Sequence, residues 1–244
     1  GSVGTAGLFM NGSTSAYIVA HELGHNHGLQ HADGWKPAGA SPAGAGEHSP
    51  YGDVFDVMGS ALLLPGGHFS SKAKEILGYL EPSHTPTIST AGTYRVFRHD
   101  DRNAGGVRAL RIPAGSYEYW IEHRQLVPAA NFPFGARLRD GVLILWSKYP
   151  ASVPGLGTHL LDATPNSPPV GFASPGSAAG FDDAPFVIGQ TFTDPDRGIS
   201  ITPTAKGGSA PAEWIDVRID FGATGTNRNP TLAASAPTTI VPAR

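Results

Sequence analysis

Residues 21–31 of this chain read HELGHNHGLQH and fit the pattern H-E-x-x-H-x-x-G-x-x-H. Residues four apart share one face of an α-helix, so His21 and His25 can direct two imidazoles at one point. Gly28 falls where the helix should end, and a residue without a Cβ atom can adopt the positive φ of a sharp turn there. That turn returns His31 as a third ligand. Three imidazoles leave one position of a tetrahedral zinc ion open for water, which is the arrangement of a catalytic rather than a structural site.

Glu22 directly follows the first of these histidines. Its position on the helix turns its side chain away from the metal itself. From there the carboxylate can reach a water molecule bound to the metal and act as a general base. The alternative interpretation is a histidine-rich helix that binds no metal. The context favours a metal site, because the apolar run at 16–20 suits a helix with Ser13, Thr14 or Ser15 as its N-cap.

A second element lies downstream, where residues 51–60 read YGDVFDVMGS. Taken alone, Met58 is an ordinary core methionine, since methionine fills irregular gaps well. The zinc motif and a later methionine in a tight turn together resemble the metzincin clan of zinc endopeptidases. With HFSSKAKEILGYL at 68–80, residues 15–81 are similar to the gametolysin-type peptidases and their bacterial secreted relatives.

This resemblance implies a secreted, extracellular zinc endopeptidase that cleaves proteins, with glycosylated or matrix proteins as candidate substrates. It implies that Glu22 is the catalytic base and that Met58 forms an apolar floor, the Met-turn, beneath the zinc ligands. The implied ligands are His21, His25 and His31.

Two positions depart from the pattern of the family. His27 stands where an apolar residue is usual, and its helical angle directs it away from His21 and His25, so we interpret it as a packing or surface residue. Ser60 stands where metzincins with a Met-x-Tyr sequence carry a tyrosine near the zinc. The sequence therefore predicts that this tyrosine is missing.

The composition limits the classes of function. A formal net charge of −3 gives no electrostatic basis for binding nucleic acid or an anionic membrane surface. The absence of cysteine excludes disulfides and a zinc–thiolate site, and no apolar run is long enough to span a bilayer. The 32 glycines and 22 prolines among 244 residues indicate many turns and a β-rich fold.

Beyond about residue 85 the apolar residues follow the period of β-strands. The clearest strand is 214–221, where Ile215, Val217, Ile219 and Phe221 alternate with polar residues and mark one buried face. Further predicted strands begin at positions 93, 107, 117, 142 and 199. Strands separated by Gly/Pro turns favour an antiparallel sandwich-like module, in which we find no catalytic constellation.

The sequence predicts an α+β fold in three parts. Residues 1–84 form a metzincin-like catalytic portion, 85–222 a mostly antiparallel β-sandwich-like module, and 223–244 a linker or the start of a further domain. Metzincins carry a sheet-containing subdomain before the zinc helix, and only 20 residues precede His21 here. We therefore expect an upstream subdomain or chain fragment to complete the substrate cleft.

Two shorter segments are interpreted from composition and period. The segment 32–50 is rich in Gly, Ala and Pro and has no period, so it is read as a surface loop. The segment 70–79 predicts a helix packed by one face, with small or apolar residues at Ala73, Ile76, Leu77 and Leu80.

Several polar residues leave alternatives open. Asp33 is a candidate acceptor for the N–H of a ligand imidazole. Glu118 and Glu122 are either paired acids or a solvated or salt-bridged face with Arg124. Four aspartates are either calcium ligands or turn residues, namely Asp182, Asp183, Asp194 and Asp196. Three histidines outside the motif are interpreted as solvated or structural, namely His48, His123 and His159.

The residues thus predict a zinc endopeptidase with Glu22 as base. The competing hypothesis is a non-catalytic protein, a secreted adhesin or binding module in which zinc has a structural role. Glu22 argues against that class, since a purely structural site has no use for a base beside the metal.

Overall fold

A computed structural model of the chain describes most of its residues. They are 15–39, 45–60, 67–127, 130–148, 157–165 and 180–222, with residues 4, 7, 12 and 167. The predicted linker at 223–244 lies outside them. Within the described residues the protein is a mixed α+β structure made mostly of strands in two sheets. None of the described helices has the length and apolar character needed to cross a membrane.

The described helices are short. Helix α1 spans Ala16–Asn26, α2 spans Ser71–Ile76, α3 spans Gly135–Arg139, and a 3₁₀ turn covers Pro82–His84. Helix α1 carries the first part of the histidine motif.

Helix α2 differs from the helix predicted at 70–79. The prediction of its apolar face is wrong in part, because the side chain of Ile76 is 52% exposed whereas those of Lys72 and Lys74 are buried. The two lysines find polar partners inside the protein. The Nζ atom of Lys72 donates to Ser147 Oγ at 2.6 Å, and that of Lys74 donates to the backbone carbonyl of His99 at 2.5 Å.

Eleven strands are described. In chain order they are β1 (Asp33–Pro37), β2 (Gly46–Ser49), β3 (Gly92–Phe97), β4 (Ala109–Pro113), β5 (Tyr117–Glu122), β6 (Gly141–Lys148), β7 (His159–Leu161), β8 (Phe186–Val187), β9 (Phe192–Asp194), β10 (Ile199–Gly207) and β11 (Trp214–Phe221). The six predicted strands are confirmed as β3 to β6, β10 and β11, with bounds shifted by a few residues.

The strands form one large and one small sheet. The seven-stranded sheet has the order β2-β1-β7-β6-β5-β4, with β8 paired to β6. Its β1–β7 pair is parallel and its other pairs are antiparallel. The four-stranded sheet is antiparallel, with the order β3-β11-β10-β9.

The two sheets share one apolar core, as expected for a sandwich-like packing. In β11 the side chains of Ile215, Val217 and Ile219 are fully buried in this core, and Phe221 packs at its margin. The facing side chains come from the large sheet and include Leu110, Ile112, Tyr119, Ile121 and Ile144. The alternating pattern of β11 is therefore confirmed.

The interpretation of 32–50 as a surface loop is wrong, because this segment contains β1 and β2. Strand β1 pairs with β7, so that Asp33 lies opposite His159. The large sheet thus contains strands from both sides of residue 84. Strand β1 depends in part on a partner far along the chain, and its Gly- and Pro-rich local sequence carries little signal of that pairing.

The second face of the large sheet supports the segment 51–60. Val54 and Phe55 belong to an apolar cluster with side chains of β4 to β7, among them Trp120 and Leu145. Both residues are at most 1% exposed. This packing fixes the segment that ends at Met58 beside the histidine motif.

Candidate metal centre

The end of helix α1 places the third histidine of the motif. The helix ends at Asn26, and exposed His27 follows as its cap residue. Gly28 has φ of +91°, in the left-handed region that favours glycine. Its amide donates to the carbonyl of His25 at 2.9 Å, which closes the turn. The chain then reverses and brings His31 back toward the helix.

The three motif histidines lie together. Ring centroids are 4.8 Å apart for His21 and His25, 4.9 Å for His25 and His31, and 5.4 Å for His21 and His31. Each ring can offer one nitrogen such that these atoms lie within 4.8 Å of one another. Their arrangement could hold one metal ion.

Backbone carbonyls set the proton positions on two of the rings. The Nδ1 atom of His21 lies 2.8 Å from the carbonyl oxygen of Val57, and that of His25 lies 2.9 Å from the carbonyl oxygen of Leu29. A carbonyl oxygen only accepts, so both Nδ1 atoms carry the hydrogen when the rings are neutral. The lone pair is then on Nε2, which is the state that a metal ligand requires.

The electrostatic surroundings favour neutral imidazoles. Burial lowers the pKa of His21 to about 4; its hydrogen bond to Val57 opposes the shift, and the neighbouring His25 and His31 add to it. Burial and His25 also lower the pKa of His31, against the opposing effect of Asp33. At neutral pH these two rings are therefore unprotonated and need to release no proton to bind a cation.

Met58 packs against the helix between the two histidines that α1 carries. It is 1% exposed, and a Cβ atom added at Gly24 would lie 2.5 Å from its sulfur. Its carbonyl accepts from the amide of Ala32 at 3.0 Å, next to His31. Methionine at this position contacts both sides of the motif, and only glycine at position 24 leaves room for it.

Two buried aspartates shape the segment that carries Met58. Asp53 Oδ1 accepts from the amides of Phe55 and Asp56, and Asp56 accepts from the amides of Met58 and Ser70 at 2.7 and 2.8 Å. Burial and the neighbouring Asp56 raise the pKa of Asp53 to about 8. This scaffold is not among the features predicted from the sequence, although two aspartates three residues apart within an apolar run are a visible signal for it.

A buried ion pair ties this segment to strand β5. Arg124 donates to the carbonyl of Phe55 at 2.5 Å and forms an ion pair with Glu122 at 2.7 Å. Glu122 also accepts from the amide of Ser71 at 2.6 Å. Burial raises the pKa of Glu122, but His99 and Arg124 outweigh it and hold the pKa well below its ordinary value. Glu122 is thus salt-bridged, as one alternative predicted, but it is not solvated.

Tyr51 lies beside the motif histidines, although the sequence has Ser60 at the position of the Met-x-Tyr tyrosine. The ring of Tyr51 lies 4.1 Å from that of His31 and 6.1 Å from that of His21, measured between centroids. Its φ of +57° is unusual for a residue other than glycine. Its amide donates to Asp33 Oδ1 at 2.8 Å and its carbonyl accepts from the amide of Ser60 at 3.1 Å. Such a held conformation beside a polar cluster is typical of functional sites.

Asp33 is a predicted acceptor for the N–H of a ligand imidazole, but the acceptors for His21 and His25 are the backbone carbonyls of Val57 and Leu29. Asp33 instead contacts the imidazole of His48, at 2.9 Å. Glu22 lies on α1 directly after His21 and is half-buried.

The aspartates considered for calcium do not form a ligand cluster among the described residues. Asp194 is fully buried, and its two carboxylate oxygens accept from the hydroxyls of Tyr117 and Tyr119 and from the amides of Asp196 and Arg197. Its contacts are those of a structural residue.

Comparison with protein-family models, with curated proteins and with solved structures found no match to this chain. Three imidazoles, two of them with the lone pair held on Nε2, are a donor set that suits zinc, and three protein ligands leave a position for water or substrate.

Proposed function

We propose that the protein is a secreted zinc endopeptidase of the metzincin type, which hydrolyses peptide bonds of extracellular proteins. The observation that carries this proposal is the convergence of His21, His25 and His31, with two of the rings held in the required tautomer by backbone carbonyls. Glu22 next to the first ligand supplies the base that peptide hydrolysis needs. Zinc bound there supplies Lewis acidity that polarises a peptide carbonyl and acidifies water.

In the proposed mechanism Glu22 moves the protons. Its carboxylate takes a proton from the attacking water as the bond from water oxygen to carbonyl carbon forms. It then gives this proton to the leaving amine as the C–N bond breaks. Water is consumed and a carboxylic acid and an amine are released, so one carboxylate serves as base and then as acid.

Tyr51 is proposed to assist as a hydrogen-bond donor. Burial and the nearby Asp33 raise the pKa of its phenol, so the hydroxyl keeps its proton at neutral pH. A protonated phenol beside the imidazoles is suited to stabilise negative charge that develops on the carbonyl oxygen of a substrate. Tyr51 would thus supply the phenol that the Met-x-Tyr position, occupied here by Ser60, does not supply.

Met58 is proposed to serve as the Met-turn residue. Its sulfur packs against Gly24, which lies between His21 and His25 in the sequence of the helix. In this role it would support the histidine motif from the apolar side, within its cluster with Leu29 and Ala32. The competing proposal, a binding module with structural zinc, gives no role to Glu22, and we place it second.

Removal of the metal tests the proposed activity. Stripping the protein with a chelator should abolish cleavage of an unstructured protein such as casein, and one equivalent of zinc should restore it. Casein fragments are followed by gel electrophoresis and mass spectrometry. Cleavage that persists in the stripped protein would contradict a zinc mechanism. Zinc binding without any cleavage would leave two explanations, a binding module or a catalytic portion that needs the expected upstream subdomain to complete its cleft.

A further inference from the structure

A second group of possible ligands lies in the large sheet, apart from the three motif histidines. It consists of Asp33, His48 and His159, and each can offer one atom such that the three atoms lie within 4.8 Å of one another. Among the described residues these two groups are the ones with three or more potential ligands at such spacing. The proposed mechanism uses none of the three residues as a ligand.

The strand registers explain why these residues meet. Asp33 in β1 lies opposite His159 in β7, and Trp35 in β1 lies opposite His48 in β2. Residues two apart on a strand share a face, so Asp33 and Trp35 point the same way. Side chains opposite each other, or diagonal across neighbouring strands, lie within reach. The three adjacent strands therefore direct two imidazoles and a carboxylate to one point on one face of the sheet.

Aromatic packing holds one of the imidazoles in place. The ring of His159 stacks on that of Trp146 with centroids 4.8 Å apart and an angle of 21° between the ring planes. Trp35 lies edge-on to both rings, at 6.0 Å from His159 and 5.4 Å from Trp146. His159 is only 6% exposed. A ring fixed in this way loses little freedom on binding an ion.

The other two residues can adjust to an ion. His48 Nε2 and Asp33 Oδ2 are 2.9 Å apart, which is a hydrogen-bond distance. Ligand atoms about 2.1 Å from a tetrahedral zinc ion are roughly 3.4 Å apart, so a small outward movement would let an ion replace the shared proton. The side chain of His48 is 47% exposed and that of Asp33 is 12% exposed. The site is thus open on the side of His48, where an ion could enter.

We propose that Asp33, His48 and His159 form a second binding site for a divalent transition-metal ion, with zinc as the expected occupant. Two imidazoles and one carboxylate are a donor set that zinc and its neighbours in the first row bind, whereas calcium and magnesium prefer oxygen ligands alone. The carboxylate of Asp33 also accepts from the amide of Tyr51, whose ring lies 4.1 Å from that of His31 between centroids. An ion on Asp33 therefore fixes the segment that borders the proposed catalytic centre.

The number of zinc ions bound by each variant tests this site. The purified protein is stripped with a chelator, loaded with Zn²⁺, desalted and analysed for metal by mass spectrometry. We expect two zinc ions per chain in the parent, one in His48→Ala, one in His25→Ala and none in the double variant. His84→Ala removes a histidine outside both groups and should keep two. Circular dichroism checks that each variant is folded. The substitution of His48 should not affect folding, because its side chain is exposed.

A second measurement, tryptophan fluorescence, detects an ion at the proposed site itself. Co²⁺ bound next to the His159–Trp146 stack should quench part of the tryptophan fluorescence, and His48→Ala or Asp33→Asn should remove that part. One zinc ion per chain, lost in His25→Ala and kept in His48→Ala, would overturn the second site and leave the proposed peptidase intact. One zinc ion lost only in His48→Ala would instead support the second site and contradict the proposed catalytic centre.

Discussion

Glu22→Ala should retain the zinc that we propose the three motif histidines bind, and it should lose most of the proposed peptidase activity. General acid–base catalysis contributes roughly two to four orders of magnitude to a rate, and we expect a loss of that size in kcat. The reason is chemical: alanine cannot take the proton from the attacking water or deliver it to the leaving amine. Zinc content should stay the same because Glu22 is not among the converging ligands.

This experiment compares hydrolysis of a fluorogenic casein by the parent and by Glu22→Ala at matched zinc content. Glu81→Ala is the control, since it removes an exposed glutamate beside the 3₁₀ turn. Activity equal to that of the parent in Glu22→Ala would refute the assignment of the base. A simultaneous loss of zinc would mean that Glu22 holds the site together rather than moving protons.

Arg124→Met should destabilise the fold by about 3–5 kcal/mol, the usual effect of removing one partner from a buried ion pair. Arg124 is 2% exposed, and Glu122 would keep a buried negative charge without its guanidinium partner. The carbonyl of Phe55 would also lose its donor. Because this carbonyl belongs to the segment that positions Met58, we expect the affinity for zinc to fall as well.

Urea unfolding of the metal-free protein measures this effect. Arg218→Met is the matched control, since Arg218 pairs with Asp220 on the surface and both side chains are nearly half exposed. Its unfolding midpoint should stay close to that of the parent, because exposed ion pairs contribute little. Equal midpoints for Arg124→Met and the parent would show that the buried pair does not hold the segment.

The local part of the site could be predicted from the sequence. A helix with histidines four apart, then a glycine that adopts φ of +91°, is specified by residues within one short stretch. Strand β11 could be predicted for the same reason, because its alternation is strict and one face is buried. In these cases the nearest neighbours in sequence determine the structure.

The remainder depends on partners that are distant in sequence. Nothing near Asp33 indicates that it lies beside His159, since this contact depends on the parallel pairing of β1 with β7. Tyr51 was missed because its place beside His31 follows from a left-handed turn at a residue that has a Cβ atom. The sequence predicts Glu122 to be either one of two paired acids or part of a solvated or salt-bridged face, and only the packing of β5 shows that it is buried.

The central claim is that His21, His25 and His31 bind one zinc ion and leave a coordination position open. X-ray absorption at the zinc edge, on His48→Ala loaded with one equivalent of zinc, tests it most directly. We predict three imidazole nitrogens and one oxygen of water, at about 2.0–2.1 Å. A shell of four protein ligands, or one with fewer than three imidazoles, would contradict the open three-histidine centre and the mechanism built on it.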